Sequence, residues 1–158
     1  MATIFWDREG IIHFDWLPEK TTINSEYYVD ELKELRQAIK HERRGKLTRG
    51  VLLQHDNARP HVSSKTMASI DDLGFECLPH PSYSTELALS DYWLFGETKR
   101  PFRGKRFEDF KRLEYEIQQW EKGTPKEFYT TGLEKLPERW KRCIKLKGEF
   151  IETFDNQL

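Results

Sequence analysis

Residues 50–56 of the chain are Gly50-Val51-Leu52-Leu53-Gln54-His55-Asp56, a short apolar run that ends in polar residues. A run of this kind predicts a buried β-strand, and Asp56 then stands at its C-terminal end. The C-terminal ends of strands are where α/β sheets bind ligands and carry out chemistry. This stretch therefore predicts an α/β fold and a candidate catalytic carboxylate together.

A second carboxylate follows at a defined spacing, because 34 residues lie between Asp56 and Asp91. Ser90 is a suitable helix N-cap, and it would place Asp91 in the first turn of a helix. A single aspartate is more often a solvated turn residue or a helix cap than a catalytic group. The residues around the two aspartates must decide between these interpretations.

The segments before the strand predict a hairpin and a helix. Residues 2–6 and 11–17 are rich in β-branched and aromatic side chains and flank a short turn that contains Gly10. A helix capped by Asn24 or Ser25 and running to about Arg44 is predicted next, because apolar residues recur on one of its faces.

After the Asp56 strand, the pattern predicts a helix from Pro60 to Gly74, a strand over residues 75–78 and a rigid loop over residues 79–84. Further helices are predicted from Phe107 to Gly123 and from Pro125 onward, the last with an apolar face of Leu133, Leu136, Trp140, Cys143 and Ile144. The order β-β-α-β-α-β followed by helices suits an RNase H-like mixed sheet flanked by helices, with a helical C-terminal part.

Three segments closely resemble the catalytic core of mariner-type DNA transposases, in which 34 residues separate the second and third metal-binding aspartates. These segments are residues 55–61 (His-Asp-Asn-Ala-Arg-Pro-His), 78–84 (Leu-Pro-His-Pro-Ser-Tyr-Ser) and 87–92 (Leu-Ala-Leu-Ser-Asp-Tyr). Residues 128–143 look like the C-terminal segment of the same family, and residues 5–12 look like the hairpin that follows its first catalytic strand. The resemblance covers nearly the whole chain.

The resemblance implies a nuclear enzyme that cuts transposon ends and joins them to target DNA with two Mg²⁺ or Mn²⁺ ions. Asp56 would be the second metal ligand and Asp91 the third. The implied partners are transposon-end and target DNA, with a homodimer or pairing with a full-length transposase as a further expectation. No membrane partner is expected, since no apolar run approaches the roughly 20 residues of a membrane helix.

The family's first metal-binding aspartate lies in a Gly-Asp-Glu triplet, and no such triplet occurs in these 158 residues. Asp7 stands at the hairpin turn, where the family has an aspartate that is not a ligand. We therefore expect one catalytic domain that is truncated at its N-terminus, lacks the first central strand and the helix-turn-helix DNA-binding domains, and has little or no activity. The alternatives are a non-catalytic remnant that binds DNA or pairs with a full-length transposase, and an unstable fragment without function.

Without that strand, the remaining sheet should either rearrange, with residues 2–6 pairing directly beside residues 51–55, or be marginally stable, since buried backbone groups need partners. The approach to Asp91 also departs from the family, which usually has Pro-Pro-Tyr-Ser-Pro-Asp-Leu-Ala-Pro-Ser-Asp-Tyr-His. This chain has Ser82, Thr85, Glu86, Leu89 and Trp93 at the differing positions. Trp93 puts any polar role of its position in doubt.

Two groups of residues are candidates for DNA contact. The first surrounds Asp56, and the second is a basic segment that would supply charge along a phosphate backbone without reading sequence. For His55 and His61, hydrogen bonding or a role at a helix start is an equal alternative, and the basic segment could equally be a solvated loop balanced by acidic neighbours. The candidates are His55, Asn57, Arg59 and His61, and then Lys99, Arg100, Arg103, Lys105 and Arg106.

Composition is consistent with a single soluble globular domain. The 158 residues are 37% hydrophobic and 34% charged, with a formal net charge of −1, so any DNA-binding surface must be local. Cys77 and Cys143 are expected to be reduced thiols in an intracellular protein. Their spacing and that of the histidines is not that of a structural zinc site.

Overall fold

The computed structural model describes residues 1–17 and 20–148, and these fall into two compact units. Unit 1 comprises Met1–Trp6 and Ile11–Tyr83, and unit 2 comprises Asp7–Gly10 and the described residues from Ser84 onward. The elements up to Tyr83 are β1 (Ala2–Asp7), β2 (Gly10–Trp16), α1 (Ser25–Glu42), α2 (Lys46–Arg49), β3 (Val51–Leu53), α3 (Arg59–Val62), α4 (Ser64–Asp72) and β4 (Phe75–Cys77).

The predicted hairpin is confirmed. Strands β1 and β2 are hydrogen-bonded neighbours joined by a turn at Arg8 and Glu9, and the Leu17 amide donates to the Met1 carbonyl over 2.9 Å at the open end. Phe5 of β1 and Ile12 of β2 pack against the core of unit 1.

Helix α1 is the centre of that core, and its predicted bounds are confirmed to within two residues. Its first turn is capped by Asn24, whose side chain accepts a hydrogen bond from the Tyr27 amide over 2.8 Å. One face of the helix is buried, as its periodicity predicts. It lies against strands β3 and β4 and against helix α4. The buried cluster consists of Tyr28, Leu32, Leu35 and Ile39 from α1 with Leu53, Ile70 and Phe75.

Strands β3 and β4 form a parallel pair in which Val51 lies beside Phe75 and Leu53 beside Cys77. The crossover between them was predicted as one helix from Pro60, but the structure has two, because Ser63 is extended (ψ 152°) and its hydroxyl caps α4 at the Thr66 amide. The predicted end of α4 at Gly74 is confirmed by the left-handed backbone of that glycine (φ 76°).

Of the two outcomes expected for the sheet, the direct pairing of β1 with β3 is wrong for the described part of the chain, and marginal stability stays a prediction. There β1 pairs with β2 and β3 pairs with β4, which gives two two-stranded sheets rather than one rearranged sheet. The physical reason lies in the side chains of the hairpin: Phe5 and Ile12 bury themselves against the α1 cluster, so the hairpin is held by face packing and not by its strand edge.

Unit 2 is helical beyond the hairpin tip. Its elements are a 3₁₀ turn (Thr85–Leu87), a π-helical turn (Ser90–Leu94), α5 (Phe95–Lys99), a second 3₁₀ turn (Arg100–Phe102), α6 (Phe110–Gly123) and α7 (Lys126–Lys145). Helix α6 begins at Phe110 and not at Phe107, because the Asp109 side chain caps it through the Arg112 amide. In residues 1–17 and 20–148, no helix is long and apolar enough to cross a membrane.

The buried face of α7 agrees with the predicted one at Leu136 but not at Trp140 and Ile144. Tyr129, Gly132 and Leu136 are buried, whereas Trp140 and Ile144 are 36% and 77% exposed. The difference arises because the Trp93 indole packs directly on Gly132 and donates its Nε1 hydrogen to the Phe128 carbonyl over 2.9 Å. A position without a side chain thus sets which face of α7 is covered.

Replacement of Gly132 by alanine is expected to destabilise unit 2, because a methyl group there would overlap the Trp93 ring. Overpacking of this kind costs about 1–3 kcal/mol and outweighs the 0.5–1 kcal/mol that alanine usually gains over glycine in a helix, so a net loss of about 1–2 kcal/mol is expected. Urea unfolding checks it. The matched control is Gly96→Ala in α5, where a methyl group meets no atom within 4 Å and a small gain is expected. A gain in both variants would contradict this packing.

Candidate active site

Asp56 lies three residues beyond β3, at the edge where the C-terminal ends of both parallel strands meet. Its Oδ1 atom accepts two hydrogen bonds, from the Ala58 amide over 2.9 Å and from His61 Nδ1 over 2.7 Å. Among the described residues, none donates to Oδ2. One carboxylate oxygen is therefore fixed by the protein and the other is open to a ligand.

The ring of His61 is held by an aromatic stack, which is defined here as Tyr28, His55 and His61. The His61 ring lies 5.1 Å from that of His55, nearly parallel at 6°, and 4.2 Å from that of Tyr28. Tyr28 comes from the buried face of α1, so the stack connects the Asp56 loop to the core of unit 1.

Both ring nitrogens of His55 have partners inside unit 1. Nδ1 lies 2.8 Å from the Tyr28 hydroxyl and Nε2 lies 3.2 Å from Cys77 Sγ. A neutral imidazole has one donor nitrogen and one acceptor nitrogen, so the two contacts fit an uncharged His55 ring.

The loop after β4 is tied to the same edge of the sheet, since the Asn57 side-chain amide donates to the His80 carbonyl over 2.7 Å. The arrangement lowers the pKa of Asp56. Burial alone would raise it, but the Ala58 hydrogen bond and the neighbouring His61 together outweigh that effect. Asp56 is thus an anion at neutral pH and suits a cation.

Acid should weaken unit 1 through His55, whose pKa is lowered from 6.5 to about 4, chiefly by burial and then by the nearby His61. Between these values the unfolded chain binds a proton that the folded chain does not, so stability is lost as the pH falls from about 6.5 towards 4. Because the ring is partly exposed, we expect a total loss of about 2 kcal/mol.

Urea unfolding between pH 7 and pH 4 checks this prediction against two variants. His55→Gln should show a shallower pH dependence, since the titrating ring is gone, and His41→Gln, at an exposed position of α1, should follow the wild type. An unchanged slope in the His55 variant would argue against a neutral, partly buried ring.

Asp91 is exposed and lies in the π-helical turn of unit 2. Ser90 does not cap this turn as predicted, because the helical backbone already begins at Leu89 (φ −50°, ψ −44°). The turn is widened by a hydrogen bond from the Phe95 amide to the Ser90 carbonyl, and π-turns within helices are frequent at functional sites.

The residues after Asp91 anchor its turn to α7. The Tyr92 hydroxyl donates to the Gly132 carbonyl over 3.0 Å, and the Arg139 guanidinium lies over the Tyr92 ring. Trp93 also contacts α7, because its Nε1 hydrogen is donated to the Phe128 carbonyl. The position that is histidine in the family pattern therefore has a packing role here. Sequence reasoning missed this anchoring, because only the departure of Trp93 from the family pattern hinted at it.

Glu86 was also missed as a structural residue. It is 3% exposed, and its Oε2 atom is buried without a hydrogen-bond partner among the described residues. Its backbone carbonyl accepts a 2.6 Å hydrogen bond from Arg139 Nε, which joins the 3₁₀ turn to α7.

The predicted DNA contacts near Asp56 divide by their surroundings. Arg59 and Asn57 are exposed, whereas His55 and His61 are partly buried and hydrogen-bonded within unit 1. In unit 2 the five predicted basic residues are all exposed, and Arg100 makes an ion pair with Glu97 at 3.3 Å. DNA contact by these residues stays a prediction.

In the described part of the chain, no group of three or more histidine, cysteine, aspartate or glutamate side chains is assembled to hold a metal ion. Within unit 1 the donor chemistry at Asp56 still suits one hard cation, because a deprotonated carboxylate with an open oxygen is what Mg²⁺ and Mn²⁺ prefer.

Comparison with known proteins identifies the type of domain. The sequence profile described as "Transposase (partial DDE domain)" matches residues 1–49. Mariner Mos1 transposase of Drosophila mauritiana is 32% identical over 154 residues, which cover 96% of this chain and 45% of that protein. Human histone-lysine N-methyltransferase SETMAR is 36% identical over 153 residues, covering 96% of this chain and 22% of that protein. The chain thus spans less than half the length of either relative.

The solved structure of the Mos1 transposase catalytic domain with raltegravir and Mn superposes with a TM-score of 0.91 at 32% identity, covering 95% of this chain and 76% of that one. Other solved Mos1 structures include the same domain with Mg, a paired-end complex with the left transposon end and a strand transfer complex. The fold is therefore that of an RNase H-like catalytic domain, as predicted. The chain belongs to the mariner-type DNA transposases and corresponds to their catalytic domain.

Proposed function

We propose that this chain is the part of a mariner-type transposase catalytic core that supplies Asp56 and Asp91 to metal-dependent DNA cleavage and strand transfer, acting on transposon ends and target DNA in the nucleus. The observation that carries the proposal is the TM-score of 0.91 to the Mos1 catalytic domain, which has been solved with both Mn and Mg. The open Oδ2 atom of Asp56 supports it independently.

Asp56 and Asp91 are the residues that would hold Mg²⁺ or Mn²⁺. When bound, the ions of such a site activate the attacking oxygen and stabilise the leaving oxygen of a phosphodiester. The lowered pKa of Asp56 keeps its carboxylate charged. The hydrogen bond to its Oδ1 atom holds the carboxylate in one orientation. Asp91 contributes from a helical turn that is anchored to α7 by Tyr92. Arg59 and the basic residues 99–106 would contact the DNA backbone.

A third carboxylate is needed for two ions, and the 158 residues contain no Gly-Asp-Glu triplet. We therefore expect the 158-residue chain alone to cleave DNA poorly or not at all. Nicking of supercoiled plasmid with Mg²⁺ or Mn²⁺ tests this, beside the double variant Asp56→Ala, Asp91→Ala. Nicking that disappears in the double variant would mean that another residue replaces the third ligand.

The proposed function is tested in a chimera in which this chain replaces the matching segment of Mos1 transposase, so that the remaining part of that protein supplies what these residues do not. We expect the chimera to cleave DNA that carries a Mos1 transposon end, in the presence of Mg²⁺ or Mn²⁺. A chimera that is folded and binds that DNA but leaves it intact would count against the catalytic role.

The second candidate is a non-catalytic remnant that binds DNA or pairs with a full-length transposase. It is favoured by one observation, namely that the described residues assemble no three-ligand metal site. DNA binding that is equal in the chain and in the double variant, together with a chimera that does not cleave, would support this candidate instead.

A further inference from the structure

We propose that His61 is a positioning residue for the metal-binding carboxylate: its Nδ1 hydrogen bond fixes Oδ1 of Asp56 and thereby turns Oδ2 outward towards the cation. The inference rests on the proposed function, because it needs a cation at Asp56. It adds a role for a residue that the sequence suggested only as a possible DNA contact or helix-start residue.

The geometry of the hydrogen bond supports this role. His61 Nδ1 lies 2.7 Å from Asp56 Oδ1, and the Ala58 amide reaches the same oxygen over 2.9 Å. Two donors on one carboxylate oxygen restrict rotation of the group about its side-chain bond, and the other oxygen is left without a donor among the described residues. A freely rotating carboxylate would first have to lose that freedom when it binds a metal ion.

The position of His61 is itself determined by the aromatic stack. Its side chain is only 20% exposed although Asp56 is 48% exposed, because the His61 ring lies against Tyr28 and His55. Tyr28 is buried in the α1 face, and His55 is held at both nitrogens by Tyr28 and Cys77. The carboxylate is thus supported by a rigid core through one ring, as outer-shell partners support metal ligands elsewhere.

Two variants separate hydrogen bonding from ring packing. His61→Phe keeps a ring for the stack but has no donor, and His61→Asn loses the ring but places an amide N–H near the position of Nδ1. If His61 positions Asp56 by its hydrogen bond, the phenylalanine variant loses affinity for the metal ion and the asparagine variant keeps much of it. If His61 only packs, the order of the two variants is reversed.

The readouts do not depend on cleavage. The first is the affinity of the 158-residue chain for Mn²⁺, followed by paramagnetic broadening of NMR signals near residue 56. We expect His61→Phe to lose about 10-fold or more in affinity and His61→Asn to lose less, in the range typical of outer-shell partners. The second is the exchange rate of the Ala58 amide proton with water, which needs no metal and should rise in His61→Phe because Oδ1 is released. Urea unfolding confirms that both variants are folded.

Asp56→Asn separates this inference from the proposed function. If the wild type binds Mn²⁺ in an Asp56-dependent way but His61→Phe binds equally well and leaves the Ala58 exchange rate unchanged, the positioning role is wrong and the proposed function stands. If Mn²⁺ binding by the wild type is the same with and without Asp56, the metal role of Asp56 fails and the positioning inference fails with it.

Discussion

Cleavage of transposon-end DNA by the Mos1 chimera is expected to fall more than about 100-fold when Asp56 is replaced by asparagine, and by a similar factor when Asp91 is replaced. Asparagine has nearly the same shape as aspartate but carries no charge, so the variant removes the attraction for the metal ion and leaves packing intact. Loss of an outer-shell partner typically costs 10- to 100-fold, and loss of the ligand itself should exceed that range.

The two positions support this prediction in different ways. Asp56 is an anion with one open oxygen at the C-terminal edge of the β3–β4 pair, and Asp91 is exposed on a turn that is anchored to α7. Matched controls are Asp71→Asn and Asp72→Asn, which change the same charge at exposed positions of α4. The controls should cleave at nearly the rate of the unchanged chimera. Equal losses in controls and site variants would show a general effect of charge, and unaffected cleavage in either site variant would exclude that aspartate as a ligand.

Local sequence was sufficient to predict several elements of unit 1, although not the short helix α2 or the division of the crossover into two helices. The apolar periodicity of α1, the turn residues of the hairpin and the left-handed Gly74 each act within a few residues of the chain, and each prediction is confirmed. Where the predictions failed, another local group competed for the backbone. Ser63 splits the predicted helix because its hydroxyl bonds the Thr66 amide, and Asp109 delays the start of α6 in the same way.

The arrangement of the candidate site could be predicted only in part. Asp56 and Asp91 were found from their spacing and from the family resemblance, which requires no knowledge of contacts. The stack of Tyr28, His55 and His61 joins residues from α1, the segment after β3 and α3, and its formation depends on how these elements pack. The bond between His55 and Cys77 likewise follows from the parallel register that places Leu53 beside Cys77. Neither contact can be predicted from a single stretch of sequence.

The packing of Trp93 on Gly132 illustrates the same limit in unit 2. Helical spacing placed Trp140 and Ile144 on the apolar face of α7, yet the structure covers the face that carries Gly132. A glycine contributes nothing to a hydrophobic pattern, so periodicity cannot show that an aromatic ring packs on it. The Trp93 ring that packs on Gly132 lies two residues after Asp91 and helps to hold the π-helical turn in place.

Replacement of Leu32 by alanine is expected to cost about 3–5 kcal/mol of unfolding free energy, the largest effect on stability that the structure predicts. Leu32 is fully buried in the cluster formed by α1, β3, β4 and α4. The loss has two parts: the side chain no longer transfers from water to an apolar interior, and a cavity remains because its neighbours are held by two strands and two helices. Domains of this size have only about 5–15 kcal/mol in total, so the variant should lose a large share of its stability.

Leu52 provides the matched control, because it is the same residue type on the neighbouring strand β3 but is 60% exposed. Leu52→Ala should change stability by no more than about 0.5 kcal/mol, as is usual for surface positions. Urea unfolding of both variants, followed by near-ultraviolet circular dichroism, measures the two values. A loss below about 1 kcal/mol in Leu32→Ala would mean that the α1 cluster is loosely packed. In that case the aromatic stack that reaches Asp56 through Tyr28 would also lack a rigid base, and the support of the carboxylate would have to come from the Asp56 loop alone.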